Sequence, residues 1–241
     1  MPRRALRGIF FDIDDTLYST RDFARQARMN AVHAMRAAGV RLPEDQLYDE
    51  LMEIVREFHS NYDSHFDKLM LRIPPRATAG INPALIVAAA VGAYHDTKIE
   101  GLKPFDDAAE LLKALAGTDL VRGIITDGLQ VKQAEKLVRL GLAPLMTPTA
   151  IFISDQIGIS KPNVKLYRRV CEETGLEPAE TLYVGDDPVN DIDPANAIGM
   201  HTCLFTRVER ERAPGTSKPS HTVSDYLTLR EILKKDYKLE L

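Results

Sequence analysis

The stretch GIFFDIDDTLYST, residues 8–20, sets an apolar run directly against a cluster of acids. Ile9, Phe10 and Phe11 suit a buried strand, yet Asp12, Asp14 and Asp15 follow at once, with Thr16 next. A strand bound for a core has no use for carboxylates unless its end opens on a site. In open parallel sheets, ligands bind outside the carboxyl ends of the strands. The fold therefore turns on whether other strands end the same way.

Four further apolar, β-prone runs follow, and chemistry-bearing residues come after three of them. LVRGIIT (120–126) runs into Thr126-Asp127-Gly128, and AIFIS (150–154) is followed by Lys161-Pro162. TLYVG (181–185) leads into Asp186, Asp187 and Asp191, and HTCLF (201–205) completes the set. Between them lie helical patterns. Val131, Ala134, Leu137 and Val138 fall at helical spacing with Gly141 as the stop, a helix is expected over about 163–174, and Pro194 starts or interrupts another. Short continuous apolar strands alternating with helices predict an α/β fold, a parallel sheet covered on both faces.

Residues 17–102 read differently. They carry no convincing strand and four helical patterns, over about 20–38, 44–58, 62–71 and 83–99. KPFDDAAELLKAL (103–115) restarts the α/β rhythm, with Asp107 and Glu110 spaced as a capping box. The expected organisation is a core of residues 1–16 and 103–241 interrupted by an all-helical insert over 17–102. Helix 83–93 is apolar nearly all round, which suits the centre of the insert or a subunit contact. ERAPGTSKPS (211–220) reads as a surface loop.

Composition sets bounds. The 241 residues are 44% hydrophobic and 27% charged, as in an ordinary globular chain of one large domain or two modest ones. A formal net charge of −4 gives no basic footprint, so nucleic acid is not an expected partner. Cys171 and Cys203 are the only cysteines and lack CxxC spacing, which points to a reducing compartment. The apolar run after MPRRALRG is too short for a signal peptide. PALIVAAAVGAY falls short of the roughly 20 residues a membrane helix needs. A soluble, cytoplasmic protein without a membrane partner is the expectation.

Each acidic strand end has an ordinary explanation, since Asp is a common turn and helix-cap residue. Gathered on one sheet edge they do not. Two carboxylates 4 Å apart repel by about 1 kcal/mol in water and about 4 kcal/mol at an effective dielectric of 20. A cation is the natural remedy, and hard oxygen ligands favour Mg²⁺. No His or Cys sits near these loops at zinc spacing. Asp12 and Asp14 are two apart, so in an extended segment both side chains can face one substrate. One ionised carboxylate can then attack phosphorus, while its neighbour, with a raised pKa, gives a proton to the leaving group. Thr126, the amides from Asp127 onward and Lys161 are candidates to bind the phosphoryl oxygens.

These residues resemble the haloacid dehalogenase superfamily of hydrolases. FFDIDDTL matches its first motif, GIITDG its second, ISKPNVKLY its third and YVGDDPVNDI its fourth, in the family's order. The helical insert between the first two motifs is similar to the cap of subfamily I. The resemblance implies a Rossmann-like core and a Mg²⁺-dependent phosphatase acting on small phosphate monoesters through an aspartyl-phosphate. On this likeness Asp12 is nucleophile and metal ligand. Asp14 is general acid and then base, with its backbone carbonyl on the metal. Asp186 is a further ligand, and Asp191 orients water or pairs with Lys161.

Asp14 argues against dehalogenation, because a halide leaving group needs no proton. Asp127 departs from the Asn usual after the second motif, so its carboxylate is expected to face away from phosphate. Roles for Asp15 and Asp187 stay open. Within the insert, the polar run holding His59, Asn61, Tyr62, His65 and Asp67 suits a solvated loop or a substrate contact. Arg21, Arg25 and Arg28 suit a solvated face or the steering of an anion. A small phosphorylated metabolite is the expected partner, and a homodimer is left open by family precedent and helix 83–93. A phosphomutase and a non-catalytic binding protein are the rival readings.

Overall fold

The computed structural model describes residues 5–59 and 62–241. In chain order, strand β1 (Gly8–Phe11) is followed by helices α1 (Thr20–Ala37), α2 (Glu44–Phe58), α3 (His65–Arg72) and α4 (Pro83–Glu100). Then come α5 (Asp106–Ala116), β2 (Val121–Thr126), α6 (Gln130–Arg139), β3 (Ile151–Ile153), a short α7 (Ser154–Ile157) and α8 (Val164–Thr174). β4 (Thr181–Gly185), α9 (Asp193–Ala197), β5 (His201–Phe205), β6 (His221–Val223) and α10 (Tyr226–Tyr237) complete the chain.

The six strands form one sheet in the order β3-β2-β1-β4-β5-β6, and every neighbouring pair is parallel. This is the doubly wound arrangement predicted from the alternation of strands and helices. All residues of β1 and β4 are buried, which is why they read as unbroken apolar runs rather than as alternating ones. Phe10 joins Phe152, Leu166, Tyr167 and Val170 in a cluster that packs α8 on one face. Phe11 points the other way, its ring 6.4 Å from that of Tyr226 at the start of α10.

Gly8 pairs with Val121 on one side and Thr181 on the other, so β1 ends beside the ends of β2 and β4. The chain winds outward from β1 through β2 and β3, then returns to wind the opposite way from β4. The switch point where ligands bind in such sheets thus lies between the ends of β1 and β4, just where Asp12 and Asp186 emerge.

Two local expectations need correction, and two elements went unforeseen. Asp107 and Glu110 form no capping box, since α5 is capped by Phe105 without a side-chain bond. Asp107 instead binds the Arg207 guanidinium at 2.5 and 2.7 Å and accepts the Tyr226 N–H at 2.9 Å. β6 and α10 were not anticipated, because HTV is too short to show a period. α3 begins at His65 rather than near 62, and the Tyr62 N–H donates to the His59 carbonyl.

By contacts the chain divides into two compact units, Met1–Thr20 with Lys103–Leu241, and Arg21–Leu102. The second is wholly helical, built on a core that includes Ala31, Leu47, Leu51, Phe66, Ile86 and Ala90. Asn82 caps α4 by accepting the Ala84 N–H, with Pro83 in the first turn. That helix buries Ile86 and Ala90 while Leu85 remains 65% exposed. Tyr62 stacks on Phe58 at 5.0 Å and meets His65 edge-on at 5.5 Å, and Asn61 lies outside the described residues. Arg21 and Arg25 are exposed on α1. Among the described residues no helix is long and apolar enough to cross a membrane.

Candidate active site

Lys161 is the hub of the site. Its ammonium is almost wholly buried and lies 2.7 Å from each of Asp12 Oδ1, Asp191 Oδ1 and Tyr183 Oη. Three donors meeting three oxygens satisfy a lysine completely, the condition under which a buried charge is tolerated. Tyr183 Oη lies also 2.9 Å from the Ile125 carbonyl and 3.0 Å from Asp191 Oδ1, so the hub spans β2, β4 and the turn after β4. Burial drives Asp12 up to about 7, against the pull of Lys161, with Asp191 and Asp14 adding to the rise. Burial acts to lower Lys161, but Asp12 and Asp191 outweigh it and hold the lysine firmly protonated.

Asp191 Oδ2 accepts the Asp187 N–H at 2.9 Å, and Gly185 makes room for it: a Cβ there would lie 2.4 Å from that oxygen. Both Asp191 oxygens are therefore engaged. Carboxylate oxygens of Asp12, Asp186 and Asp191 lie within 4.8 Å of one another. With Asp191 tied to Lys161, Tyr183 and an amide, Asp12 and Asp186 are the carboxylates best placed to serve a cation.

The sequence reading missed a guanidinium here. Arg212, from the loop between β5 and β6, contacts Asp186 directly, reaches Asp187 Oδ2 at 3.1 Å and approaches Asp15 at 3.9 Å. The stretch read as a plain surface loop thus sends a charge to the acids. Asp187 itself accepts the amides of Val189 and Asn190, and Asp15, at φ 56°, accepts the Thr20 N–H at 2.9 Å. These are the local cap and turn roles open to any aspartate.

Asp14 faces different company. Lys136 Nζ lies 2.7 and 2.6 Å from its two oxygens, Tyr18 Oη donates at 2.5 Å, and Gln133 Nε2 donates at 3.2 Å. Burial works to raise Asp14, but Lys136 and the hydrogen bonds prevail, and its carboxyl is held below the usual range. The expected ordering is therefore reversed in this structure, with Asp12 raised and Asp14 lowered. Gln133 and Lys136 sit one turn apart on α6, and i, i+3 spacing after the second motif was the available clue.

Thr126 ends β2 almost fully buried, and its Oγ1 has no hydrogen-bond partner among the described residues. Asp127 turns its carboxylate to the third-motif loop, accepting the Lys161 N–H at 3.0 Å and the Ser160 hydroxyl at 3.0 Å. Gly128 adopts φ 131°, and a Cβ there would lie 2.6 Å from Gln133 Nε2.

Carboxylates, a lysine and a spare hydroxyl at the switch point of a doubly wound sheet define an α/β enzyme site suited to an anionic substrate. The model of the haloacid dehalogenase-like hydrolases matches residues 9–205, and the chain belongs to that family. It is 43% identical over 205 residues to the glyceraldehyde 3-phosphate phosphatase of Methanopyrus kandleri, covering 84% of each chain. It is 33% identical over 229 residues to the protein of the same name from Methanocaldococcus jannaschii, covering 95% of this chain and 97% of that one. Among solved structures it is similar to the magnesium-bound HAD-hydrolase YfnB of Bacillus subtilis. That match has a TM-score of 0.64 at 21% identity and covers 95% and 99% of the two chains, a likeness of fold.

Proposed function

We propose that this phosphoric monoester hydrolase works through an aspartyl-phosphate on Asp12, uses Mg²⁺, and takes glyceraldehyde 3-phosphate or a close relative as substrate. The observation that carries the reading is a buried Asp12 held by Lys161 beside strand β2, whose terminal Thr126 keeps a hydroxyl without a protein partner. A buried polar atom left unsatisfied costs roughly 1–3 kcal/mol, and a phosphoryl oxygen is a fitting acceptor for it.

In this reading Asp12 attacks phosphorus, forming a new O–P bond as the ester P–O bond breaks. Asp14, held as a carboxylate in the free protein, takes the proton of the bound phosphate monoester monoanion and passes it to the departing alkoxide. Water then attacks the phosphoryl group, Asp14 takes the water's proton, and the Asp12–phosphorus bond breaks to release phosphate. Thr126 binds the charge that builds on the phosphoryl oxygens, and Lys161 joins it by giving up its bond to Asp12 as that carboxylate turns to phosphorus. Asp12 and Asp186 would hold Mg²⁺, together with the Asp14 backbone carbonyl that the family resemblance implies. When bound, Mg²⁺ supplies positive charge that lets a carboxylate approach a phosphate. Asp191 keeps Lys161 in place, and the choice of substrate is assigned to the helical unit Arg21–Leu102.

The two relatives named for glyceraldehyde 3-phosphate support the choice of ester. The test is hydrolysis of p-nitrophenyl phosphate and glyceraldehyde 3-phosphate, with Mg²⁺ and with EDTA, by the wild type and Asp12→Asn. Metal-dependent turnover lost in Asp12→Asn is expected. Turnover that survives the substitution would remove Asp12 as nucleophile.

A further inference from the structure

The Asp14 carboxylate is surrounded by donors. Lys136 Nζ, which can only donate, reaches both oxygens, the Gln133 amide donates to one, and the Tyr18 hydroxyl to the other. These donors come from α6 and from the loop after β1, and they leave neither oxygen free. They also fix its orientation, because both oxygens are engaged from different directions. The clamp is built with care. Gln133 is buried, its Nε2 also donates to the Asp127 carbonyl at 2.6 Å, and Gly128 lacks the Cβ that would displace it. α6 thus links the end of β2 to the acid that follows β1.

We infer that Lys136, supported by Gln133, is a positioning residue that holds the Asp14 side chain in the orientation needed for proton transfer with the attacking water. The inference rests on the aspartyl-phosphate reading above and deepens it, assigning Lys136 to the second half of the reaction. The ordinary alternative is an ion pair that only fastens α6 to the first-motif loop.

Stopped-flow release of p-nitrophenol, with acid quench and intact mass measurement, separates these. The Lys136→Met variant is expected to keep a rapid burst close to one p-nitrophenol per enzyme, then turn over about 100-fold more slowly than wild type. It should accumulate protein heavier by one phosphoryl group, and Lys136→Arg should recover much of the turnover. Loss of the burst together with steady-state turnover in a folded variant overturns the inference, as does wild-type behaviour. Should Lys136→Met not fold, Gln133→Leu takes its place with the same expected burst. A wild type that hydrolyses neither ester overturns the underlying reading, and this inference with it.

Discussion

Lys161 Nζ and Asp191 Oδ1 meet at 2.7 Å with both side chains almost wholly buried, so the lysine's position is set by a residue thirty places along the chain. Removing one member of a buried pair typically costs about 3–5 kcal/mol, because the other is left charged and unpaired. Lys161→Met strands both Asp12 and Asp191, and a loss of about 3–5 kcal/mol is expected. Asp191→Asn leaves Asp12 and Tyr183 on the lysine, and should cost about half as much. Urea denaturation of metal-free protein compares them. Equal losses would mean that Asp12 does not share the lysine as the geometry has it.

Thr126 offers a case in which stability and activity should part. Its hydroxyl is buried and unpartnered, so Thr126→Val removes an unsatisfied group without opening a cavity. The variant should be as stable as wild type or more so, by up to about 1 kcal/mol, while kcat/KM falls about 10–100-fold. Thermal denaturation alongside ester hydrolysis decides. A variant that loses stability and keeps activity would show that the hydroxyl serves the fold.

Arg212 should oppose cation binding. Its guanidinium contacts Asp186 and lies 3.1 Å from Asp187, so a cation at Asp186 must compete with it. A partly exposed pair of this kind contributes about 1 kcal/mol, or roughly a fivefold difference in Kd. Arg212→Gln should therefore bind Mn²⁺ or Mg²⁺ more tightly by about that factor in calorimetry, whereas Asp186→Asn should abolish binding. Weaker binding by Arg212→Gln would instead make Arg212 a support for the ligand set.

The acids were legible because each follows an apolar strand, and a parallel sheet aligns strand ends. Asp12, Thr126, Lys161, Asp186 and Asp191 needed only the strand order to come together. Lys136 and Arg212 were harder to find because local spacing alone does not separate them from solvated charges. Lys136 stands in an amphipathic helix whose polar residues all look solvated, and Arg212 in a loop rich in charges of both signs. Their partners lie on other strands, and only the tertiary fold selects them. The capping-box reading of Asp107 failed for the same reason. A local motif lost to Arg207, one hundred residues away, whose bidentate geometry is the stronger bond.

That long-range pair gives a stability prediction with a definite pH sign. Although burial works to raise Asp107, hydrogen bonds from Arg207 and the Tyr226 N–H lower its carboxyl from the ordinary value of 3.8. The folded chain therefore holds the ionised form more strongly than the unfolded chain does. Stability from Asp107 is fully present above about 4 and is lost as pH falls below that value. The pair ties α5 to the loop after β5 and to the start of α10, and Arg207 also lies 4.5 Å over the Phe105 ring. With screening at a part-exposed site, Asp107→Asn should cost about 1–2 kcal/mol at pH 7. The difference from wild type should shrink as pH is lowered from 5 towards 3. Urea denaturation of both proteins across that range measures it, and a difference that stays constant would show that Asp107 acts by shape rather than by charge.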